Sequence, residues 1–310
     1  MRAKRKALSV WLLALASACL LLSACAQHSD ETPEPTEPPQ RTPLPEMPQL
    51  PEAREKSEYD HVKVYFDGLL SDKGYLVEDT VYLSPEYLCD FFGVELDVQT
   101  DKEGLTITAE GLKLTAQAGQ EYMLANSRYL FTPYGYLEAD GRVYLPADAV
   151  ERVFGVNVIL FGDPVQAEVS GENVRFLVGG EDYYTRTFPD EEIFWLSHII
   201  NAEAKNEPIA GLIGVGNVVY NRIADPAFPN TLLDVIYDHE HTIQFEAIST
   251  GGLLDKPEPT SMIATYLCLE GYNTVGDSLY FANPSKGINP WFYEALTPTA
   301  VIGNHYFYIW

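Results

Sequence analysis

Asp190-Glu191-Glu192-Ile193-Phe194-Trp195-Leu196-Ser197-His198-Ile199-Ile200-Asn201-Ala202-Glu203-Ala204 is the stretch on which the reading of this chain turns. Asp190 suits a helix N-cap, and Glu191 and Glu192 fall where the positive end of a helix dipole favours them. At ~100° per residue, with Ile193 at zero, Ile199, Leu196, Ile200 and Ala204 occupy an arc from about 240° through zero to about 20°. Glu203 falls at about 280°, inside that arc. A carboxylate on an apolar face is costly when ionised, and desolvation raises its pKa. An acid of that kind at the end of a helix suits protonation of a glycosidic oxygen. The spacing equally allows a structural glutamate paired with a buried arginine such as Arg222.

A second helix pattern follows over Ile209 to Ile223, with Gly211, Gly214 and Gly216 inside it. Glycines there lower helix propensity but let another segment approach closely. The first helix is the expected neighbour. Asn221 and Arg222, at the end of this pattern, read as a cap and a salt bridge rather than as ligand contacts.

Further blocks continue to the end of the chain. Ile200-Asn201-Ala202-Glu203-Ala204-Lys205-Asn206-Glu207-Pro208 leads to Gly214-Val215-Gly216-Asn217-Val218-Val219-Tyr220-Asn221-Arg222, then to Phe228-Pro229-Asn230-Thr231 and Gln244-Phe245. Leu279-Tyr280-Phe281-Ala282-Asn283-Pro284 and Ile302-Gly303-Asn304-His305-Tyr306-Phe307-Tyr308 complete the set. In this order the blocks resemble the SleB/CwlJ cell wall hydrolase family. The resemblance implies a mostly helical, lysozyme-like domain over 185–310, related to lytic transglycosylases. It implies cleavage between N-acetylmuramic acid and N-acetylglucosamine in peptidoglycan, and it carries the catalytic role onto Glu203. Asp238 to Ile243 departs as a small insertion, and Glu246 stands where a small or hydroxyl residue is usual; both bear on the shape of the saccharide cleft.

Gln244, Asn283 and His305 are polar groups beside the aromatics Phe245, Phe281 and Tyr306. With Tyr280 they form the expected substrate-binding set, since a sugar groove combines hydrogen-bonding groups with flat apolar faces. Core aromatics with satisfied amides would give the same pattern. A two-carboxylate glycosidase needs a second acid about 5–10 Å from the first. Glu207 is followed by Pro208, which discourages helix, and Glu192 lies three turns back. A single acid fits lytic transglycosylation better than hydrolysis. Asp238, His239, Glu240 and His241 offer no third or fourth ligand at a familiar zinc spacing, so neither metal nor cofactor is expected.

Working outward to the N-terminal side, residues 60–178 contain a repeat. Val81-Tyr82-Leu83 recurs as Val143-Tyr144-Leu145, and Phe92-Gly93-Val94 recurs at the same offset as Phe154-Gly155-Val156. Between each pair lies a short helix pattern, opened by Ser84-Pro85 or Pro146 and closed by Gly93 or Gly155. Val62-Val64-Phe66, Leu105-Ile107 and Val156-Val158-Leu160 alternate as strands. The repeat resembles the copper amine oxidase N-terminal domain, which implies an adhesive or positioning module; a plain spacer fits as well. No histidine lies between His61 and His198, so copper is not expected. The overall class is α+β: a repeat domain of strands with short helices, then the helical domain.

Residues 26–59 are rich in Pro and Glu and read as a disordered linker, able to reach up to roughly 80–100 Å at about 3 Å per residue. Residues 1–25 carry Arg2, Lys4, Arg5 and Lys6, then an apolar run from Leu8 to Leu22, and read as an export signal. Leu22-Ser23-Ala24-Cys25 resembles a lipoprotein signal, which places a lipid on Cys25 and the protein on the outer face of the cell membrane, reaching into wall or spore cortex. Cys89 and Cys268 lie among apolar residues and read as buried thiols. The net charge of -25 over 310 residues disfavours nucleic acid or an anionic lipid surface as partner. The expected partners are peptidoglycan glycan strands and, through the lipid, the membrane. The competing class is a non-catalytic lipoprotein that binds glycan or a partner. Whether the substrate is vegetative wall or spore cortex is not written in these residues.

Overall fold

The computed structural model describes residues 60–179, 190–238, 245, 251–287 and 294–310. The expected signal, Cys25, the linker, Gln244 and His239 to His241 lie outside them. No helix among the described residues is long and apolar enough to cross a membrane.

The N-terminal part runs β1 (Asp60–Phe66), β2 (Leu69–Val77), β3 (Thr80–Leu83), α1 (Pro85–Phe92), β4 (Asp97–Asp101), β5 (Gly104–Ala109), β6 (Leu112–Gln117), β7 (Tyr122–Ala125), β8 (Arg128–Phe131), β9 (Leu137–Ala139), β10 (Arg142–Pro146), α2 (Ala147–Phe154), β11 (Asn157–Phe161) and β12 (Gln166–Ser170). Seven of these strands form one sheet in the order β11-β12-β1-β2-β3-β10-β9, and β4 to β8 form a second in sequence order. The repeat is visible in the local chemistry. Ser84 Oγ accepts from the Tyr87 backbone N–H, Pro85 opens α1, and Gly93 closes it with φ 70°. Pro146 precedes α2 and Gly155 closes it with φ 64°. Gly155 is required twice over: a Cβ there would lie 2.4 Å from the Arg175 carbonyl oxygen, besides the cost of the left-handed conformation.

Among the described residues, the C-terminal part has four α-helices, α3 (Asp190–Ala204), α4 (Ile209–Ala224), α5 (Leu232–Ile236) and α6 (Pro259–Leu269). It also has a three-stranded antiparallel sheet, β13-β15-β14, from β13 (Tyr280–Ala282), β14 (Thr297–Ile302) and β15 (His305–Ile309). The helical expectation therefore needs this addition. The β-branched and aromatic residues on either side of Gly303-Asn304 make a hairpin, with Ile302 paired to His305. Gly303 takes φ 58° at the turn.

The glycines of α4 admit more than the first helix. A Cβ on Gly216 would meet Cys268 Sγ of α6 at 2.6 Å and Ile200 Cδ1 of α3 at 3.0 Å. One on Gly214 would meet Phe307 of β15 and Val275, each at 2.8 Å. Side chains, rather than a helix backbone, fill the space. Cys89 and Cys268 are free and buried; burial pushes the Cys89 thiol up to about 12 and Cys268 higher.

Both parts share one continuous hydrophobic core, which includes Leu114, Leu130, Val153 and Phe154 together with Ile200, Leu212, Ala264 and Tyr272. Polar and aromatic contacts stitch the junction. Arg128 donates through Nε and Nη2 to the two Glu270 carboxylate oxygens at 2.9 and 2.7 Å. These side chains are 11% and 5% exposed. Arg152 donates to the Glu270 carbonyl and lies 4.3 Å from the Tyr272 ring centroid. Tyr129 stacks on Tyr266 with 4° between the ring planes.

Candidate functional site

Glu203 is the penultimate residue of α3 and is half-buried, between fully buried Ile200 and nearly buried Ala204. The helix beneath it is fixed by Asn201, 2% exposed. Asn201 Oδ1 accepts from the Glu258 backbone N–H at 2.9 Å and from Ser261 Oγ at 3.1 Å, which satisfies the start of α6. The chain then turns, with the Glu207 N–H donating to the Ala204 carbonyl. The angular arrangement of α3 read from sequence thus meets a side-chain tether that no periodicity reveals.

Glu207 grips the far hairpin. Its Oε2 accepts from the Asn304 backbone N–H at 2.7 Å, and its Oε1 from Asn304 Nδ2 at 3.1 Å. A Cβ on Gly303 would collide with Glu207 Oε2, so glycine is needed there for close approach as well as for its φ. The same turn delivers His305, which is 3% exposed. Its Nδ1 has no hydrogen-bond partner among the described residues. Its ring centroid lies 5.3 Å from that of Phe281. Burial lowers its pKa most; the Glu207 carboxylate opposes that, and Lys286 adds to it.

Arg222 is buried near the C-terminal end of α4, 2% exposed. Its Nε donates to the Leu279 carbonyl at 2.7 Å. Its guanidinium carbon lies 5.3 Å from the ring centroids of Phe228 and Phe245 and 5.4 Å from that of Tyr280. Burial pushes its pKa down to about 10, against the electrostatic pull of Tyr280 and Asp238, and it stays cationic at neutral pH. Asn217 and Asn221, one turn apart on α4, complete a ladder. Asn217 donates to the Tyr272 carbonyl and accepts from the Thr274 N–H; Asn221 donates to the Gly276 and Ser278 carbonyls. The ladder fastens the irregular segment 272–279 to α4 and so sets the entry into β13.

Those of the expected saccharide-binding residues that are described lie on different faces of the sheet and in the core. β13 pairs with β15 so that Tyr280 faces Tyr308, Phe281 faces Phe307 and Ala282 faces Tyr306. Side chains alternate along a strand. Tyr280, Tyr306 and Tyr308 therefore share one side, and Phe281, His305 and Phe307 the other. Phe245 is fully buried, 6.2 Å from the Phe281 ring, and packs in the core. Tyr280 is 4% exposed against Arg222. Asn283 Oδ1 caps a short turn by accepting from the Ser285 N–H and Oγ. Tyr306 is half-buried. No group of three or more His, Cys, Asp or Glu side chains that could hold a metal ion occurs among the described residues.

Each of the two parts is similar to a known family. The Cell Wall Hydrolase family matches residues 206–308, a span that begins three residues after Glu203, and the Copper amine oxidase N-terminal domain matches residues 65–163. The C-terminal part is homologous to the spore cortex-lytic enzymes of Bacillus subtilis (28% identical over 120 residues, 39% of this chain and 38% of that protein) and Bacillus cereus (27%, 39% and 45%). The chain spans less than half the length of these curated relatives. Among solved structures, the catalytic domain of the germination-specific lytic transglycosylase SleB from Bacillus anthracis is 26% identical, with 40% of this chain and 98% of that one covered and a TM-score of 0.37.

Proposed function

We propose that this protein is an exported peptidoglycan-lytic enzyme that cleaves the N-acetylmuramic acid–N-acetylglucosamine bond, with Glu203 as its single catalytic acid and base. The observation that carries the reading is the placement of Glu203 at the half-buried end of α3; the acids nearest it in sequence hold other parts of the fold. Glu207 holds Asn304 with both oxygens. Glu192 accepts from the Tyr220 hydroxyl at 3.0 Å and lies about 16 Å back along the helix axis. Homology to proteins named spore cortex-lytic enzymes supports the substrate class.

In the reaction, Glu203 gives its proton to the bridging oxygen as the C1–O bond breaks. The muramoyl 6-hydroxyl attacks C1, and the Glu203 carboxylate takes the hydroxyl proton. The product is a 1,6-anhydro end with no water consumed. The lipid on Cys25 would hold the enzyme on the outer membrane face, and residues 26–59 would carry it toward the glycan.

Digestion of purified vegetative sacculi and of cortex by the full chain tests the proposal. The parent is expected to release 1,6-anhydro fragments and Glu203→Gln none. Fragments one water heavier would replace transglycosylation by hydrolysis. Release by both proteins removes the role of Glu203 while keeping a lytic enzyme; release by neither favours a glycan-binding lipoprotein.

A further inference from the structure

A groove of about 360 Å³ opens at one end of the five-stranded sheet, between the turn joining β6 to β7 and the loop joining β8 to β9. Gln117, Gln120, Tyr134, Tyr136 and Glu138 line it. Gln120 Nε2 donates to Gln117 Oε1 at 2.7 Å, which leaves each amide one further polar atom to offer. Tyr134 is 52% exposed, a large aromatic surface left in water beside these amides. The walls are held in place without a ligand. Gly135 donates to the Thr132 carbonyl at 2.8 Å, and the Tyr82 hydroxyl, from the seven-stranded sheet, donates to the Gly135 carbonyl at 3.2 Å.

We propose that this groove is an accessory saccharide site that holds a neutral stretch of N-acetylhexosamine polymer. A flat aromatic face bordered by amides and a carboxylate matches a ligand with apolar ring faces and rows of hydroxyl and acetamide groups. Glu138 accepts hydrogen bonds from hydroxyls but repels carboxylates, so stretches poor in lactyl and peptide acid groups fit best. Tyr136 keeps its proton, because burial and then Glu138 and Asp101 push its pKa up. A preformed groove binds without first ordering its walls. Proline-rich peptide also docks on aromatic grooves. This chain's own proline-rich stretch carries Glu31, Glu34, Glu37 and Glu46, and Glu138 opposes it. The choice of saccharide rests on the peptidoglycan reading; the existence of the site does not.

Titration of the full chain as Glu203→Gln with a tetramer of β-1,4-linked N-acetylglucosamine, followed by the backbone amide resonances of Gly119 and Gly135, tests the site. Both resonances are expected to shift and saturate. Tyr134→Ala, at an exposed position, is expected to raise the Kd read at these amides at least about fivefold, with Gln117→Ala as a second variant. In the Glu203 background, Tyr134→Ala alone is expected to leave cleavage of short soluble glycan fragments unchanged. Unmoved resonances, an unchanged Kd in both variants, or shifts caused only by a peptide of residues 26–59 would overturn the proposal. Loss of the Glu203 role with an intact titration would sink the catalytic reading and leave this one standing.

Discussion

Replacing Arg128 by alanine strikes the junction between the two parts of the molecule at its most enclosed contact. The guanidinium makes two hydrogen bonds to Glu270, and the two side chains are 11% and 5% exposed. Alanine leaves the Glu270 carboxylate enclosed without its counter-charge, a loss of about 3 kcal/mol. The Arg152 contact to the Glu270 carbonyl does not replace it, because it reaches the backbone rather than the carboxylate. Beyond residue 25 the tryptophans are Trp195, Trp291 and Trp310, all in the C-terminal part. Their fluorescence in urea therefore reports on that part alone. With an m-value of about 3 kcal/mol/M, the midpoint falls by about 1 M, although the substitution lies in the N-terminal module. Replacing Arg128 and Glu270 together by methionine recovers most of the loss, since apolar pairs substitute well for buried ion pairs. A tryptophan midpoint within about 0.2 M of the parent in Arg128→Ala would refute the reasoning. So would a double variant no more stable than the single one.

Glu207→Gln retains one acceptor for Asn304, so lytic activity is expected to fall by less than about tenfold, or ~1.4 kcal/mol, with unchanged products by mass spectrometry. A loss matching that of Glu203→Gln would make Glu207 a second catalytic acid. Gly216→Ala drives a methyl against Cys268 Sγ and Ile200 and should cost about 1–3 kcal/mol in urea denaturation. Adding Cys268→Ala removes the closest clash, so the pair should lose less than the sum of the two single changes. His305 titrates below its ordinary value of 6.5 because it is buried. The unfolded chain then binds the proton first, so its contribution is complete above about pH 6.5 and is lost as pH falls through the folded value. His305→Phe should flatten that acid limb of a stability-against-pH curve.

The elements legible in sequence are those written in local chemistry. Ser84-Pro85 and Gly93, then Pro146 and Gly155, mark two short helices because capping and left-handed glycine are decided within a few residues. The helix under Glu203 was legible because its apolar arc is intrinsic to one segment. The site around it was less so. Asn217, Asn221 and Arg222 hold carbonyls of an irregular segment some 55 residues on, and a carbonyl leaves no mark in a sequence. His305 and Tyr306 are neighbours in the chain and sit on opposite faces of β15, so a cluster that looks like one surface in a string divides in a sheet. Arg128 and Glu270 are 142 residues apart, and neither has a neighbour that announces the other. The groove at Tyr134 comes from two turns that meet only in three dimensions.

The common interior of the two parts bears on how such proteins are assembled from pieces. Moving the C-terminal part onto a different leader would strip the cover from Tyr266 and Tyr272 and strand an acid at position 270 on a greasy surface. Inheritance is then expected to be coupled: an arginine at position 128 and a carboxylate at position 270 should travel together through descendants, and recombinants that separate them should aggregate.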